Sequence, residues 1–265
     1  MALDWVKIIL VESAGPMNVG SIARVMKNFG LNHLVLVNPQ CDHLGVEAQK
    51  MAVHAKDILE SAVLVKTLPE ALQGCTRAIA TTARIRDWET PLLSPRTALP
   101  WLIEEPQQAA ALIFGREDRG LSNEELNYAQ RFVNIPTSSS YSSLNLAAAV
   151  AICCYELAQG VEIHSTDNTV LLNKVANADE EISAPSKHSG YESAPLDVLE
   201  AYYQQLESLL LDIGYLYPHT AASRMEKFRQ LYNRTQLQTR EVAMLRGILR
   251  QVEWVIANPN NHEKS

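Results

Sequence analysis

Three separated motifs hold the residue types that could do chemistry in this chain. They are Pro16-Met17-Asn18-Val19-Gly20-Ser21-Ile22-Ala23-Arg24, then Phe114-Gly115-Arg116-Glu117-Asp118-Arg119-Gly120-Leu121-Ser122-Asn123, then Ile135-Pro136 with Tyr141-Ser142-Ser143-Leu144-Asn145-Leu146. Each lies where an apolar, strand-like run gives way to a helix-like pattern. In an open α/β sheet such junctions collect at one edge, and ligands bind there. Glycines, small hydroxyls and an arginine at three of them predict one site built from distant sequence.

The glycines first suggest phosphate loops. Gly15 to Ser21 and Gly115 to Leu121 each contain G-x-x-x-x-G. Neither continues into the Lys-Ser or Lys-Thr that reaches phosphates and Mg²⁺, and no G-x-G-x-x-G follows a strand. The pattern argues against an NTPase or a dinucleotide enzyme. Asn18 reads as a helix N-cap, which leaves Arg24, one to two turns on, unexplained. Gly115 closes an apolar strand, so its backbone is expected at the sheet's carboxyl edge, free for close approach by a ligand. The Arg116-Glu117-Asp118-Arg119 run reads equally as a local ion-pair cluster of little stabilising value. Ser142, Ser143 and Asn145 make a turn and N-cap for the helix that follows. The same geometry aims backbone N–H groups into the site, where they could hold an adenine edge or orient a polar substrate group. In Thr81-Thr82-Ala83-Arg84-Ile85-Arg86, after another apolar strand, Arg84 and Arg86 suit phosphate contacts or a solvated loop.

The elements that must position these residues alternate. Strands are predicted at Val6–Val11, His33–Val37, Ala62–Val65, Ala78–Thr82, Ala109–Phe114 and Phe132–Ile135. Helices are predicted at Asn18–Phe29, closed by Gly30, around Glu70–Leu72, at Asn123–Ala129 and at Leu144–Ala158. Alternation of this kind implies a parallel sheet with helices on both faces. The Leu144–Ala158 helix is apolar around most of its surface, so it belongs in the core or at a subunit interface. Residues 160–194 carry Ser, Thr, Asn, Asp and Glu with little periodicity and read as a linker. Three helical segments follow, about 196–213, 219–232 and 237–257. Apolar stripes run along the first, from Leu196 to Leu210, and along the third at Leu245, Ile248, Leu249, Val252 and Val255. They form a small all-α module. The expected domains are therefore 1–159, a linker over 160–194, and 195–258.

Composition is that of an ordinary globular protein, with 47% hydrophobic and 20% charged residues. No basic segment precedes an apolar stretch at the start, so no signal peptide is expected, and no apolar run reaches membrane-spanning length. Cys41, Cys75, Cys153 and Cys154 form no C-x-x-C pair, which points away from zinc and towards packing residues in a reducing cytoplasm. The net charge of −7 argues weakly against nucleic acid, but local patches decide binding. The linker is acidic. From His219 to Arg250, in contrast, Arg224, Lys227, Arg229, Arg234, Arg240, Arg246 and Arg250 face only Glu226 and Glu241.

Together the three motifs resemble the SPOUT superfamily of RNA methyltransferases, and within it the TrmH-like ribose 2′-O-methyltransferases. The pattern N-x-G-x-x-A-R is Asn18 to Arg24. The second motif is Ile113-Phe114-Gly115-Arg116-Glu117 with Gly120-Leu121, and the third is Ile135-Pro136 with Ser143-Leu144-Asn145. The match spans residues 6–159, and the helical extension resembles the TrmJ branch. The segment Pro136 to Ser140 varies among members and carries no inference. The resemblance implies an α/β domain with a C-terminal trefoil knot that binds S-adenosylmethionine, no metal, and a homodimer whose active sites take residues from both subunits. It implies a cytoplasmic, membrane-free enzyme that methylates the first anticodon-loop nucleotide of tRNA, cytidine or uridine at position 32. Another tRNA or ribosomal RNA site, or a knotted RNA-binding protein without activity, are the alternatives. Arg24 matches the catalytic arginine, with Ser143 and Asn145 on the substrate side. Thr81, Thr82, Ala83, Gly115, Ile135, Ser142, Ser143 and Leu144 fall at the cofactor. Asn18, Arg84, Arg86, Arg116 and Glu117 are the expected substrate-binding residues.

Overall fold

The computed structural model describes residues 3–83, 91–105, 108–138, 140–141, 143–175 and 193–258. Arg84, Arg86 and Ser142 lie outside the described residues, as do residues 176–192 of the expected linker. The chain divides into two compact units, Met1–Leu72 with Arg77–Ser189, and Gln73–Thr76 with Gly190–Ser265.

The sheet-bearing part runs β1 (Val6–Val11), α1 (Pro16–Asn28), β2 (His33–Val37), α2 (Val46–Ala52), α3 (Lys56–Glu60), β3 (Val63–Val65), α4 (Leu68–Ala71), β4 (Cys75–Thr81), β5 (Leu92–Leu93), α5 (Pro95–Ala98), α6 (Pro100–Ile103), β6 (Ala109–Phe114), α7 (Asn123–Leu126), β7 (Arg131–Val133) and α8 (Leu146–Val175). Among the described residues the strands form one sheet in the order β3-β2-β1-β6-β4-β7-β5. The pairings of β1 with β2 and β6, of β2 with β3, and of β7 with β4 and β5 are parallel. In register, Ile9 lies opposite Val35 on one side and Ile113 on the other. Val6, Ile8, Ile9, Leu10 and Val11 are all buried. Successive side chains on a strand point to opposite faces, so both faces of β1 are covered, as a parallel sheet requires.

One face of α1 supplies Val19, Ile22, Ala23 and Met26 to the same core cluster as Val150, Cys153, Cys154 and Leu157 of α8. Cys153 and Cys154 are fully buried although adjacent, so α8 is enclosed on more than one side there. Burial pushes the Cys153 thiol up to about 12, which leaves it a packing group rather than a nucleophile. Gly20 marks where α1 meets α2. A Cβ there would stand 2.1 Å from the Ala48 carbonyl oxygen. Gly30, just past α1, has φ of 73°, the left-handed conformation expected of a helix-ending glycine.

Three features differ from the sequence reading. The helix expected to end at Ala158 continues to Val175, so residues 160–175 are helix rather than linker. Once nucleated, a helix propagates cheaply, and Gly160 costs too little to stop it. β4 begins at Cys75 instead of Ala78. Its Arg77 is buried and tolerated there because it donates to the Trp101 carbonyl, to Glu104 at 3.1 Å and to Glu105 at 2.6 Å. α2, α3, α5, α6 and β5 were not foreseen; each is too short to show a period.

The second unit contains α9 (Leu196–Asp212), α10 (Ala221–Asn233) and α11 (Thr239–Ala257). Leu196, Leu199, Tyr203, Leu206 and Leu209 are buried along α9 as the stripe predicts, joined by Tyr202. On α11 only Val242 and Leu249 are buried, while Ile248 and Val252 are exposed. Its apolar sector is wider than the seam it packs. Arg229 does not point outward. Its Nη1 and Nη2 lie 2.5 and 2.8 Å from the Glu200 carboxylate of α9, and its guanidinium sits 4.6 Å from the Tyr203 ring centre. Among the described residues, no helix is long and apolar enough to cross a membrane.

Candidate active site

The site begins with the loop after β6. Arg116 and Gly120 form an antiparallel bridge, and the Gly120 N–H donates to the Arg116 carbonyl at 2.8 Å. Gly120 turns the chain with φ of 69°. A Cβ on Gly115 would stand 2.2 Å from Gly120 C and 2.3 Å from Leu121 N. The Cβ direction of Gly115 is thus filled by the returning loop, while the residue still lines the cleft. This glycine is required for closure of the loop.

The closed loop holds Glu117 over the start of α1. Its Oε1 accepts from the Gly15 N–H and from Asn18 Nδ2, each at 3.1 Å, and its Oε2 accepts from the Ala14 N–H at 3.1 Å. Burial would raise the Glu117 carboxyl. The hydrogen bonds from Ala14, Asn18 and Gly15 together outweigh it and hold the group below the usual carboxylate range. Asn18 is therefore not the N-cap of α1. That position is Gly15, Pro16 starts the helix, and the Asn18 amide is committed elsewhere. Its Oδ1 accepts from Asn145 Nδ2 at 3.0 Å. Asn145 in turn caps α8, its Oδ1 accepting from the N–H groups of Ala147 at 2.9 Å and Ala148 at 3.3 Å. One chain of hydrogen bonds thus joins all three motifs.

A second cluster braces the same loop. Glu12 follows β1 with φ of 50°, which turns its carboxylate to 3.0 Å from Arg119 Nη2. Arg119 also grips Glu125 with two hydrogen bonds of 2.9 Å. Glu125 and Ser122 form a capping box on α7. The S-x-x-E spacing is that of a capping box, and its link to Glu12 runs through Arg119. Arg116 Nε lies 2.9 Å from Asp118 Oδ1, though not aligned to donate to it.

These loops surround a cleft of about 300 Å³. The end of β4 contributes Thr81, Thr82 and Ala83, the β6 loop contributes Gly115 to Leu121, and Ile135, Ser143 and Leu144 close it. Thr81 Oγ1 donates to the Ile113 carbonyl at 3.0 Å, and the Thr82 carbonyl accepts from Asn134 Nδ2 at 2.9 Å. Apart from Ser142, which is not described, every expected cofactor residue lines this cleft. Arg116 and Glu117 line it too, whereas Asn18 and Asn145 join through Glu117. Arg24 does not line it; it is exposed on α1. Phe114, Leu121, Val133, Leu146 and Ala149 also line the cleft, though the sequence did not mark them as site residues. Apolar strand ends give no signal that separates lining from core. Among the described residues no group of three or more His, Cys, Asp or Glu is placed to hold a metal ion.

Comparison with known proteins follows the same division of the chain. Residues 6–155 match the SpoU rRNA methylase family, and residues 197–263 match the C-terminal domain of the tRNA methyltransferase TrmJ. The chain is 40% identical to the tRNA (cytidine/uridine/adenosine-2′-O-)-methyltransferase TrmJ of Pseudomonas aeruginosa, over 96% of this chain and 95% of that protein. It is 37% identical to the tRNA (cytidine/uridine-2′-O-)-methyltransferase TrmJ of Pectobacterium atrosepticum, covering 95% and 98%. Among solved structures, TrmJ from Z. mobilis superposes with a TM-score of 0.77 at 29% identity, covering 93% of this chain and 98% of that one.

Proposed function

The chain belongs to the SpoU methylase family, and from that premise we propose that it is an S-adenosylmethionine-dependent tRNA ribose 2′-O-methyltransferase of the TrmJ kind. One observation carries the reading: the three motifs that resemble such enzymes are tied together around the cleft. The cleft suits the cofactor. Phe114, Leu121, Val133, Ile135, Leu144 and Leu146 offer apolar walls for a purine ring. Thr81, Thr82, Ser143 and nearby backbone groups offer hydrogen bonds, the usual make-up of a small-molecule site. Thr81, Thr82, Ala83, Gly115, Ile135, Ser143 and Leu144 would hold it. Bound there, S-adenosylmethionine supplies an electrophilic methyl group for in-line attack by a ribose 2′-oxygen.

The residues of the chain do the rest. A ribose hydroxyl is a poor nucleophile until it loses its proton. Arg24 does not take that proton, because a guanidinium stays charged. It fixes the adjacent phosphate, which accepts the proton, and it stabilises the charge growing on the oxygen. Ser143 and Asn145 orient the ribose, Arg116 faces the substrate, and Asn18 and Glu117 hold the motifs in register. The protein works as a homodimer in which Arg24 serves the partner's cleft, which accounts for its place away from its own. The carboxyl edge of the sheet carries the trefoil knot, and the enzyme is cytoplasmic. The target is cytidine or uridine 32 of tRNA. Radiolabelled methyl transfer to tRNA transcripts tests this. A 2′-deoxynucleotide at position 32 should abolish incorporation. Undiminished incorporation would overturn the position, and none into any tRNA would overturn the activity.

A further inference from the structure

The turn between α9 and α10 exposes rings that the second unit's own core does not use. α9 ends at Asp212, and Gly214 reverses the chain with φ of 74°. From there the residues alternate. Leu216 is buried at 1% exposure, while Tyr215 and Tyr217 on either side are 53% and 54% exposed. The Leu216 N–H donates to the Leu210 carbonyl at 2.9 Å, so the inward residue is anchored and the outward two are held apart by it. Pro218 fixes the backbone after Tyr217. His219 stacks on Tyr217 with ring centres 6.0 Å apart and planes 27° apart. The Tyr217 carbonyl accepts from the N–H groups of Thr220 and Ala221, both at 2.9 Å, which ties the turn to the start of α10. These tyrosines are presented on a braced turn, at little entropic cost to a ligand.

The neighbouring face is positive. Arg224 donates from Nη1 to the Tyr215 carbonyl at 3.1 Å, and its guanidinium lies 5.9 Å from that ring's centre. Along α10, Arg224, Lys227, Leu231 and Arg234 are exposed. Their spacing of three, four and three places them on one side of the helix. Among the described residues Arg224, Lys227 and Arg234 enter no ion pair, whereas Arg229, on the opposite side, is spent on Glu200. The result is an uncompensated basic stripe that runs into two exposed tyrosines, on a protein whose net charge is −7. Rings offer faces to unpaired bases, and lysine and arginine follow the phosphates between them. Duplex RNA would leave the rings unused.

We propose that the α9–α10 turn stacks unpaired bases of the tRNA substrate on Tyr215 and Tyr217, while Arg224, Lys227 and Arg234 hold the adjoining phosphates. The proposal rests on the tRNA reading above and names the surface and the contact by which the second unit grips single-stranded RNA. The test uses the full chain, a stem-loop RNA and a blunt duplex RNA of equal length, with binding measured across a salt series. Replacing both Tyr215 and Tyr217 by Ala should weaken stem-loop binding about fivefold or more, leave duplex binding and the salt slope unchanged, and fall on KM for tRNA more than on kcat. Tyr217→Phe and Tyr217→Trp should keep most of the affinity, because they keep the ring. Lys227→Ala and Arg234→Ala should each reduce the salt slope by about one. Stem-loop affinity unchanged in the double tyrosine variant would overturn the proposal. So would equal loss for stem-loop and duplex, or Tyr217→Phe behaving as Tyr217→Ala. Failure of the underlying reading looks different. There the unaltered chain binds cofactor but neither RNA, and the proposal falls with it.

Discussion

Polar side chains hold the two units in different ways. Around the cleft of the sheet-bearing unit they join loops, while buried Arg77 pairs with Glu104 and Glu105 elsewhere in that unit. Glu117, Asn18 and Asn145 come from three places in the sequence and spend their hydrogen bonds on one another and on two helix starts. In the helical unit one pair is sunk into the core, Arg229 with Glu200, at 14% and 12% side-chain exposure. Arg224, Lys227 and Arg234 stay outward. The first arrangement leaves polar groups fixed in number and direction, as a reaction needs. The second leaves charges able to follow a flexible ligand. The proposed chemistry falls in the first arrangement and the proposed grip on RNA in the second.

The sharpest test of that contrast is Glu200→Ala. Removing Glu200 takes the facing carboxylate from the largely buried Arg229 guanidinium, at a cost of about 3 kcal/mol or more. Chemical denaturation should show the helical unit unfolding early while calorimetric cofactor binding persists. Simultaneous loss of both would show that the units do not differ in this way. Arg24→Ala comes next. It should lower turnover on tRNA by about a hundredfold or more and leave cofactor affinity nearly unchanged. Near-normal turnover would remove Arg24 from the mechanism. Gly20→Ala forces a methyl group against the Ala48 carbonyl and should destabilise the sheet-bearing unit by roughly 1–3 kcal/mol, read from its denaturation midpoint.

The smallest effect concerns acid. Glu117 and Glu125 both have carboxyls held below their ordinary value of 4.5. For each, burial acts upward and is outweighed by hydrogen bonds, from Ala14, Asn18 and Gly15 to Glu117, and from Arg119 and Ser122 to Glu125. A carboxyl depressed on folding adds stability that is fully present above its unfolded value and is lost as pH falls through the folded one. The protection of the Ala14 and Gly15 amides against hydrogen exchange, relative to their intrinsic rates at each pH, should therefore fall as the pH drops below about 4.5. Glu117→Gln should abolish that dependence. Unchanged protection of these amides on acidification would break the link between Glu117 and α1.

Much of this was legible along the chain, and for identifiable reasons. Val6–Val11 is apolar except at Lys7, and its other five residues are buried because both faces of the strand are covered; Gly30 sits where a helix must turn. The cleft residues Thr81, Gly115, Ile135 and Leu144 lie at ends of runs that the sequence shows plainly. The partnership of Glu117 with Ala14 and Gly15 was not legible, since nothing local distinguishes a carboxylate that reaches across the fold from one in a surface ion pair. Gly115 lines the cleft as expected, but its need to be glycine comes from its own returning loop, which the sequence does not show. A cut at Gly160, which composition marks as a boundary, falls inside α8. The stripe on α11 misled because apolar spacing gives a helix face without saying how much of it is covered.

The ties that join the three motifs also fix when the site can exist. Asn18 reaches Glu117 across 99 residues of sequence and Asn145 across 127. Contacts between such distant positions form late, because loop closure must be paid before they return anything. During synthesis, β1, α1 and β2 leave the ribosome early and can pair with one another at once. Glu117 arrives much later, and the amide that orients the third motif later still. Until Asn145 has emerged, the nascent chain can hold every strand of the sheet but not the tie that joins the third motif to the first. A shortened product of interrupted translation would therefore be inert towards RNA methylation even where its sheet had begun to fold.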